Sequence, residues 1–277
     1  MRGFDYIPGG IGLECLLFPT NWFTRAIRAK NGRARAVMQI EVEHQHGRLL
    51  WMLPTINASE SENMNIVKNM LSECGRRRLF YIIGSIDEDS PYIDLFKKYG
   101  FSHYGWEQVW QYFPQEKNTV ELKYSWKKTE APQLQQINQL HNKILPPKEK
   151  TISKDVLNDP PRYCLLLGEE VVGYAYTTVY LDQAVVTPFI SHKILHPEKY
   201  IFNLLNTYFS NLSFLYIIQR STQHLSETSL SEKCKKVSSK RQRIVKHLAI
   251  RNKDIVAEYN HSANGRKTNI VTPISKQ

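Results

Sequence analysis

The stretch from Leu79 to Phe113 constrains this chain more than any other, because it carries its own start and stop signals. Phe80 to Ile83 is a short apolar run of the kind a buried strand shows. Ser90–Pro91 is a helix-start pair: Ser accepts a first-turn amide hydrogen bond, and Pro loses nothing at the first helical position. Gly100 is the matching stop, since glycine enters the left-handed region freely, and Phe101 can then fold back on Phe96. Lys97 and Lys98 fall in the last turn, where the helix dipole favours cations. The following SHYGWEQVWQYF is rich in Tyr and Trp and reads as a strand.

Upstream, Asn21 or Thr20 could cap a short helix carrying Trp22, Phe23 and Ile27. From Ala36 to His44 apolar and polar residues alternate, so Ala36, Met38, Ile40 and Val42 share one face of a half-buried strand. A turn at His46–Gly47 leads into a second strand, Arg48 to Leu53. His44 and His46 flank that turn without a third ligand and read as polar turn residues, not a metal pair. Ile66, Val67, Met70, Leu71 and Cys74 lie at helical spacing, with Ser59 or Ser61 as the cap and Gly75 as the stop. Residues 36–113 therefore read strand, strand, helix, strand, helix, strand.

The order then starts again. An edge strand over Glu121 to Trp126 precedes a helix with Leu134, Ile137, Leu140 and Ile144 in phase, ended by Pro146–Pro147. Tyr163 to Leu167, a Gly168–Glu169 turn and Val171 to Tyr180 form a hairpin. A strand from Ala184 to Ser191, a helix from Glu198 to Leu212, a strand from Phe214 to Gln219 and a last one from Arg243 to Ile250 complete the second half.

With 277 residues and about 150 per domain, two domains are expected. The four cysteines, Cys15, Cys74, Cys164 and Cys234, have no CxxC spacing, which argues for a reducing interior. No apolar run reaches the ~20 residues of a membrane span, so the expectation is a cytoplasmic protein without membrane contact. The net charge of +11 is uneven: residues 231–277 hold 12 basic and 3 acidic residues. The segment Lys233 to Lys246 (KCKK, KRQR) could touch nucleic acid, or be a solvated face. Asn252 to Gln277 lacks periodicity and is expected to be disordered.

"IDLFKKYGFSHYGWEQVW" resembles the closing segment of the GCN5-related N-acetyltransferase (GNAT) family, often "A–x–x–L–Y–x–x–x–G–F". "VVGYAYTTVYLDQAVVTPFISHKILHPEKYIFNLL" is similar to the family's central segment, where a "V–x–G–x–A" strand leads to an "H–P–E" helix entry. The resemblance implies an α/β (α+β) chain of two tandem GNAT-like domains, each a mixed central sheet flanked by helices: 1–115, 116–251, then the tail 252–277. It implies an N-acyltransferase that carries an acyl group from acetyl-CoA or another acyl-CoA to an unknown amine, which attacks the thioester directly.

Two departures stand beside that implication. A pyrophosphate needs bare helix-start amides and small residues near them. The first matching loop, Pro54 to Asn63, has no Gly and carries Glu60 and Glu62, better read as helix-start acids. The second runs from His196 to Asn203, so the implied coenzyme contacts fall on Lys199, Ile201 and Asn203, with Lys193 nearby; Ile201 and Phe202 stand where small residues belong. The proton-donating Tyr of the family's helix is replaced by Phe96. Cys234, among lysines, has no His or Asp to support a nucleophilic role, and Glu41 and Glu43 read as solvated. The alternative is therefore a catalytically silent GNAT fold kept as a binding or assembly module.

Overall fold

The computed structural model describes residues 22–28, 34–43, 46–54, 59–114, 123–150, 152, 156–157, 159–237 and 239–248. Cys15, the apolar run around it, His44, positions 55–58 of the first phosphate-type loop and the 252–277 tail lie outside the described residues.

The first half begins with β1 (Trp22–Arg28), β2 (Ala34–Glu43) and β3 (His46–Pro54), three antiparallel neighbours. The helix expected over Trp22 to Ile27 is instead β1, paired along its length with β2. Aromatic and β-branched residues prefer a pleated surface, and the open edge of β2 supplies the hydrogen bonds that a lone seven-residue helix would lack. Next come α1 (Glu60–Arg76), β4 (Tyr81–Asp87), α2 (Ile93–Lys98) and β5 (Ser102–Tyr112).

Helix α1 buries Ile66, Val67, Met70 and Cys74 completely. It runs through Gly75, and the left-handed position is taken by Arg78 (φ 60°), with Leu79 N donating to Cys74 O and Arg78 N to Gly75 O. The stop thus lies three residues beyond the glycine that reads as one. The second stop is where the residues put it. Gly100 has φ 75°, Phe101 N donates to Phe96 O at 3.0 Å, and the two phenyl rings meet edge to face at 5.0 Å. At its start, α2 opens at Ile93, two residues past Ser90–Pro91, and Ser90 Oγ accepts only a long 3.4 Å bond from Tyr92 N.

The second half contains β6 (Ser125–Lys128), α3 (Ala131–Ile144), α4 (Pro147–Lys150), β7 (Tyr163–Leu167), β8 (Glu170–Tyr180), β9 (Gln183–Ile190), α5 (Pro197–Tyr208), β10 (Phe214–Arg220), α6 (Glu227–Ser231), β11 (Cys234–Lys236) and β12 (Arg241–His247). All twelve described strands join one sheet in the order β1-β2-β3-β4-β12-β5-β10-β9-β8-β7-β6, with β11 on β5. Ile137 of α3 packs with Tyr174 and Phe189 on one face of the second half, and Ile201, Leu204 and Leu205 of α5 pack on the other.

The two halves exchange strands. β12, the last of the described strands, fills the gap between β4 and β5 of the first half. In return, the far end of β5 fills the gap between β10 and β11 of the second. Ile244 of β12 thereby lies in the first half's core beside Ile82 and Phe96. The expected division at 115/116 falls between β5 and β6 in the chain, while hydrogen bonding crosses it in both directions.

Two outcomes follow for stability. Gly100→Ala should cost about 1–2 kcal/mol, the price of a side chain in the left-handed region; its Cβ would also stand 2.6 Å from Lys246 Nζ, the far end of a long side chain. Urea unfolding measures this directly. Residues 1–115 expressed alone lack β12 and should be insoluble or unfolded by circular dichroism, while co-expression with residues 116–277 should recover both pieces as one complex.

Candidate functional site

The sheet opens once between the described strands of the second half. β9 and β10 are parallel and paired only from Gln183 to Val186 against Phe214 to Ile217. Beyond that point they part, leaving a wedge between Thr187–Ile190 and Ile218–Arg220. The loop after β9 enters α5 through His196, which is left-handed (φ 52°), and Pro197 at the first helical position.

On the α5 side this wedge is filled by the chain's own Ser221–Ser226 segment. Gln223 Nε2 donates to Pro188 O. Its Oε1 accepts from Arg220 N at 3.0 Å. Gln219 bridges from inside, accepting from Trp110 Nε1 at 2.9 Å and donating to Leu225 O at 3.0 Å. Glu198, in the first turn of α5 and buried, accepts from Ser226 N at 2.5 Å. An internal carboxylate thus stands at the helix start, where an anionic ligand would be stabilised. The rings of His192 and His224 meet at 4.1 Å across the mouth, and burial, then the neighbouring His224, holds His192 below its ordinary value. The recess left between Pro188, Ile194, Gln223 and Leu225 has room for about one water. A nucleotide thioester does not fit there.

The expected contacts separate accordingly. Lys199 is exposed on the first turn of α5, Asn203 is half-buried one turn on, and Ile201 has 0% exposure inside the core. Lys193 is exposed on the loop. In the first half, Glu60 is exposed and pairs with Lys98 at 3.4 Å, bridging α1 to α2. Phe96 is buried against Phe101 and offers no proton. Burial pushes the Cys234 thiol up to about 12, outweighing the charge of Lys233, so it is protonated at neutral pH and not nucleophilic. His46 stacks on Tyr81 at 5.1 Å, and no metal-holding cluster occurs among the described residues. Lys233, Lys236 and Lys240 lie over the rings of Phe202, Trp110 and Trp106, and Lys236 also pairs with Glu227 at 2.9 Å.

A second cluster sits where the halves join, and periodicity could not reveal it. Glu107 of β5 stands opposite Arg241 of β12 on one side and Arg220 of β10 on the other. Its carboxylate lies 3.9 Å from Arg241 and 3.8 Å from Arg243. Arg243 also reaches Glu149 of α4 at 3.3 Å, and Ser221 Oγ donates to Glu149 at 3.4 Å. Burial pushes the Glu107 carboxyl up, but Arg243, Arg220, a hydrogen bond from Ser85 and Arg241 outweigh it, so the group sits below the usual carboxylate range. Gly105 makes room for this packing: a Cβ there would stand 2.7 Å from Ser221 Oγ and 2.8 Å from Glu149 Oε1.

No protein-family model matches the chain, and no curated protein matches it in sequence. Solved structures do match in shape. A GCN5-related N-acetyltransferase from Sphaerobacter thermophilus aligns over 81% of this chain and 80% of its own, at 9% identity and a TM-score of 0.54. One from Kribbella flavida aligns over 84% and 91%, at 8% identity and a TM-score of 0.52. A functionally unknown conserved protein from Staphylococcus epidermidis aligns over 74% and 85%, at 6% identity and a TM-score of 0.52.

The depressed Glu107 carboxyl fixes a pH dependence. A folded value below the unfolded one (about 4.3) gives stability that is present above the unfolded value and lost as pH falls through the folded one. Glu107→Gln should cost about 3–5 kcal/mol at pH 7, because it leaves buried arginines uncompensated. Urea melts repeated at pH 3 should show a smaller gap from wild type.

Proposed function

Because the chain has the GNAT fold, built twice, we propose that it is an acyl-CoA-dependent N-acyltransferase in which the first half carries the coenzyme and the second is a closed copy. The observation carrying this reading is the plug in the second wedge, held by Gln223 on Pro188 O and by Ser226 on Glu198. Glu60, one of the two acids that discouraged a coenzyme site in the first half, is exposed and engaged with Lys98. The second half still serves the first, because β12 completes its sheet. The amine acceptor is open, and no reaction step is assigned to individual side chains.

A second reading has its own support. Phe96 occupies the place of the proton-donating Tyr, which favours a catalytically silent scaffold used for binding or assembly. Titration calorimetry with acetyl-CoA separates the two. The first reading expects one coenzyme per chain, with affinity unchanged in Lys199→Glu and Asn203→Ala. Loss of binding in those variants would move the coenzyme to the second half. No heat at millimolar ligand would leave the silent scaffold.

A further inference from the structure

Two segments far apart in the sequence meet at the mouth of the plugged wedge. His192 lies on the loop after β9 and His224 in the Ser221–Ser226 segment, and their rings stand edge to face, 4.1 Å apart. Both backbones are tied down beside the histidine. Ser191 N donates to Val172 O at 2.9 Å, and Ile194 N to Ser191 O at 3.0 Å. On the other segment Gln223 is anchored on Pro188 O, and Leu225 O accepts from Gln219. The two histidines themselves are exposed, and among the described residues neither ring forms a hydrogen bond or an ion pair. Their nitrogens are therefore open to solvent, beside a recess with room for about one water.

We propose that His192 and His224 together bind one divalent transition-metal ion of the zinc and copper class, which clamps the Ser221–Ser226 segment onto the loop after β9. Imidazole suits such ions, whereas magnesium and calcium call for oxygen donors. Glu198, the acid in the first turn of α5, is buried and already accepts from Ser226 N, so it offers no carboxylate to a hard cation. With metal–nitrogen bonds of about 2.0–2.1 Å, two imidazoles on adjacent positions of one ion hold their ring centres ~4.5–5 Å apart. The observed pair has to part by less than about 1 Å to reach that spacing, within the torsional freedom of exposed side chains. Burial and the neighbouring ring hold His192 below its ordinary value, which favours the neutral, ligating form at pH 7. Lys193 is exposed, so water and salt screen its charge. No group of three or more such donors occurs among the described residues, so water fills the remaining positions, unlike a structural zinc centre with four protein ligands. Metal binding does not require acyl transfer: absence of coenzyme binding would leave it standing, and its own failure would leave the coenzyme proposal untouched.

Calorimetric titration of the full chain with zinc chloride, and with magnesium chloride for comparison, tests it alongside hydrogen exchange of the Ser226 amide. One zinc ion is expected at this pair, with affinity falling roughly hundredfold in His192→Gln and in His224→Gln, as a two-point grip becomes a one-point one. Zinc at ten times its dissociation constant should slow exchange of the Ser226 amide about tenfold, because it favours the closed segment by mass action. Magnesium should do neither, and zinc binding should fade at pH 5 as both imidazoles take up protons. Because both histidines are exposed, the metal-free variants should keep the wild-type Tm. Equal zinc affinity in wild type and both variants would overturn the proposal, as would the absence of zinc heat at millimolar ion or zinc binding undiminished at pH 5. Zinc that binds through both histidines yet leaves the Ser226 amide exchanging as before would overturn the clamp.

Discussion

The structure depends on the meeting of Glu107 with arginines from two other strands. Strand β5 is shared: up to Glu107 it pairs with β12, and from Glu107 onward with β10. At that handover the sheet has to bury charge, since the arginines arrive from both sides. A single buried cation would be expelled or neutralised, and a lone buried carboxylate likewise. Together they form a network whose members cannot leave one at a time, so the register of three strands from both halves is locked at one point. A slip of β12 by one residue would turn Arg241 and Arg243 to the opposite face and strand Glu107.

The fold was legible wherever local chemistry decides it. The Gly100–Phe101 stop, the alternation around Ile40, the α1 stripe from Ile66 to Cys74 and the β7–β8 hairpin at Gly168 all use interactions within a few residues, which periodicity and turn rules capture. Local rules failed where a distant partner overrode them. Trp22 to Arg28 became a strand because β2 offered an edge, and Arg78 took the left-handed position although Gly75 stood nearby. β11 has only three residues and exists because β5 is beside it. The exchange of β5 and β12 leaves no periodic trace at all, since it concerns which strands pair and not which residues form them.

The candidate site was legible in outline only. The HPEK stretch marks the start of α5, but the residues that close the wedge beside it, Gln223 and Ser226, come from a segment with no motif. Their effect depends on the wedge geometry, which a sequence does not display. A shared architecture therefore transmits a cleft without transmitting its contents. In this chain one cleft is occupied by the protein itself.

The strand exchange also governs how the polypeptide is made. Ser102 donates to the carbonyl of Val245 across a separation of 143 residues. The first half therefore emerges from the ribosome with a slot in its sheet, and the occupant is synthesised at a few to some tens of residues per second. For that interval β4 and β5 present unsatisfied edges, the kind of surface that invites wrong partners. Vectorial folding, available to tandem domains that close on themselves, is denied to this chain. Its first half must wait, guarded by other factors or by loose collapse, until residues 241–247 have been made.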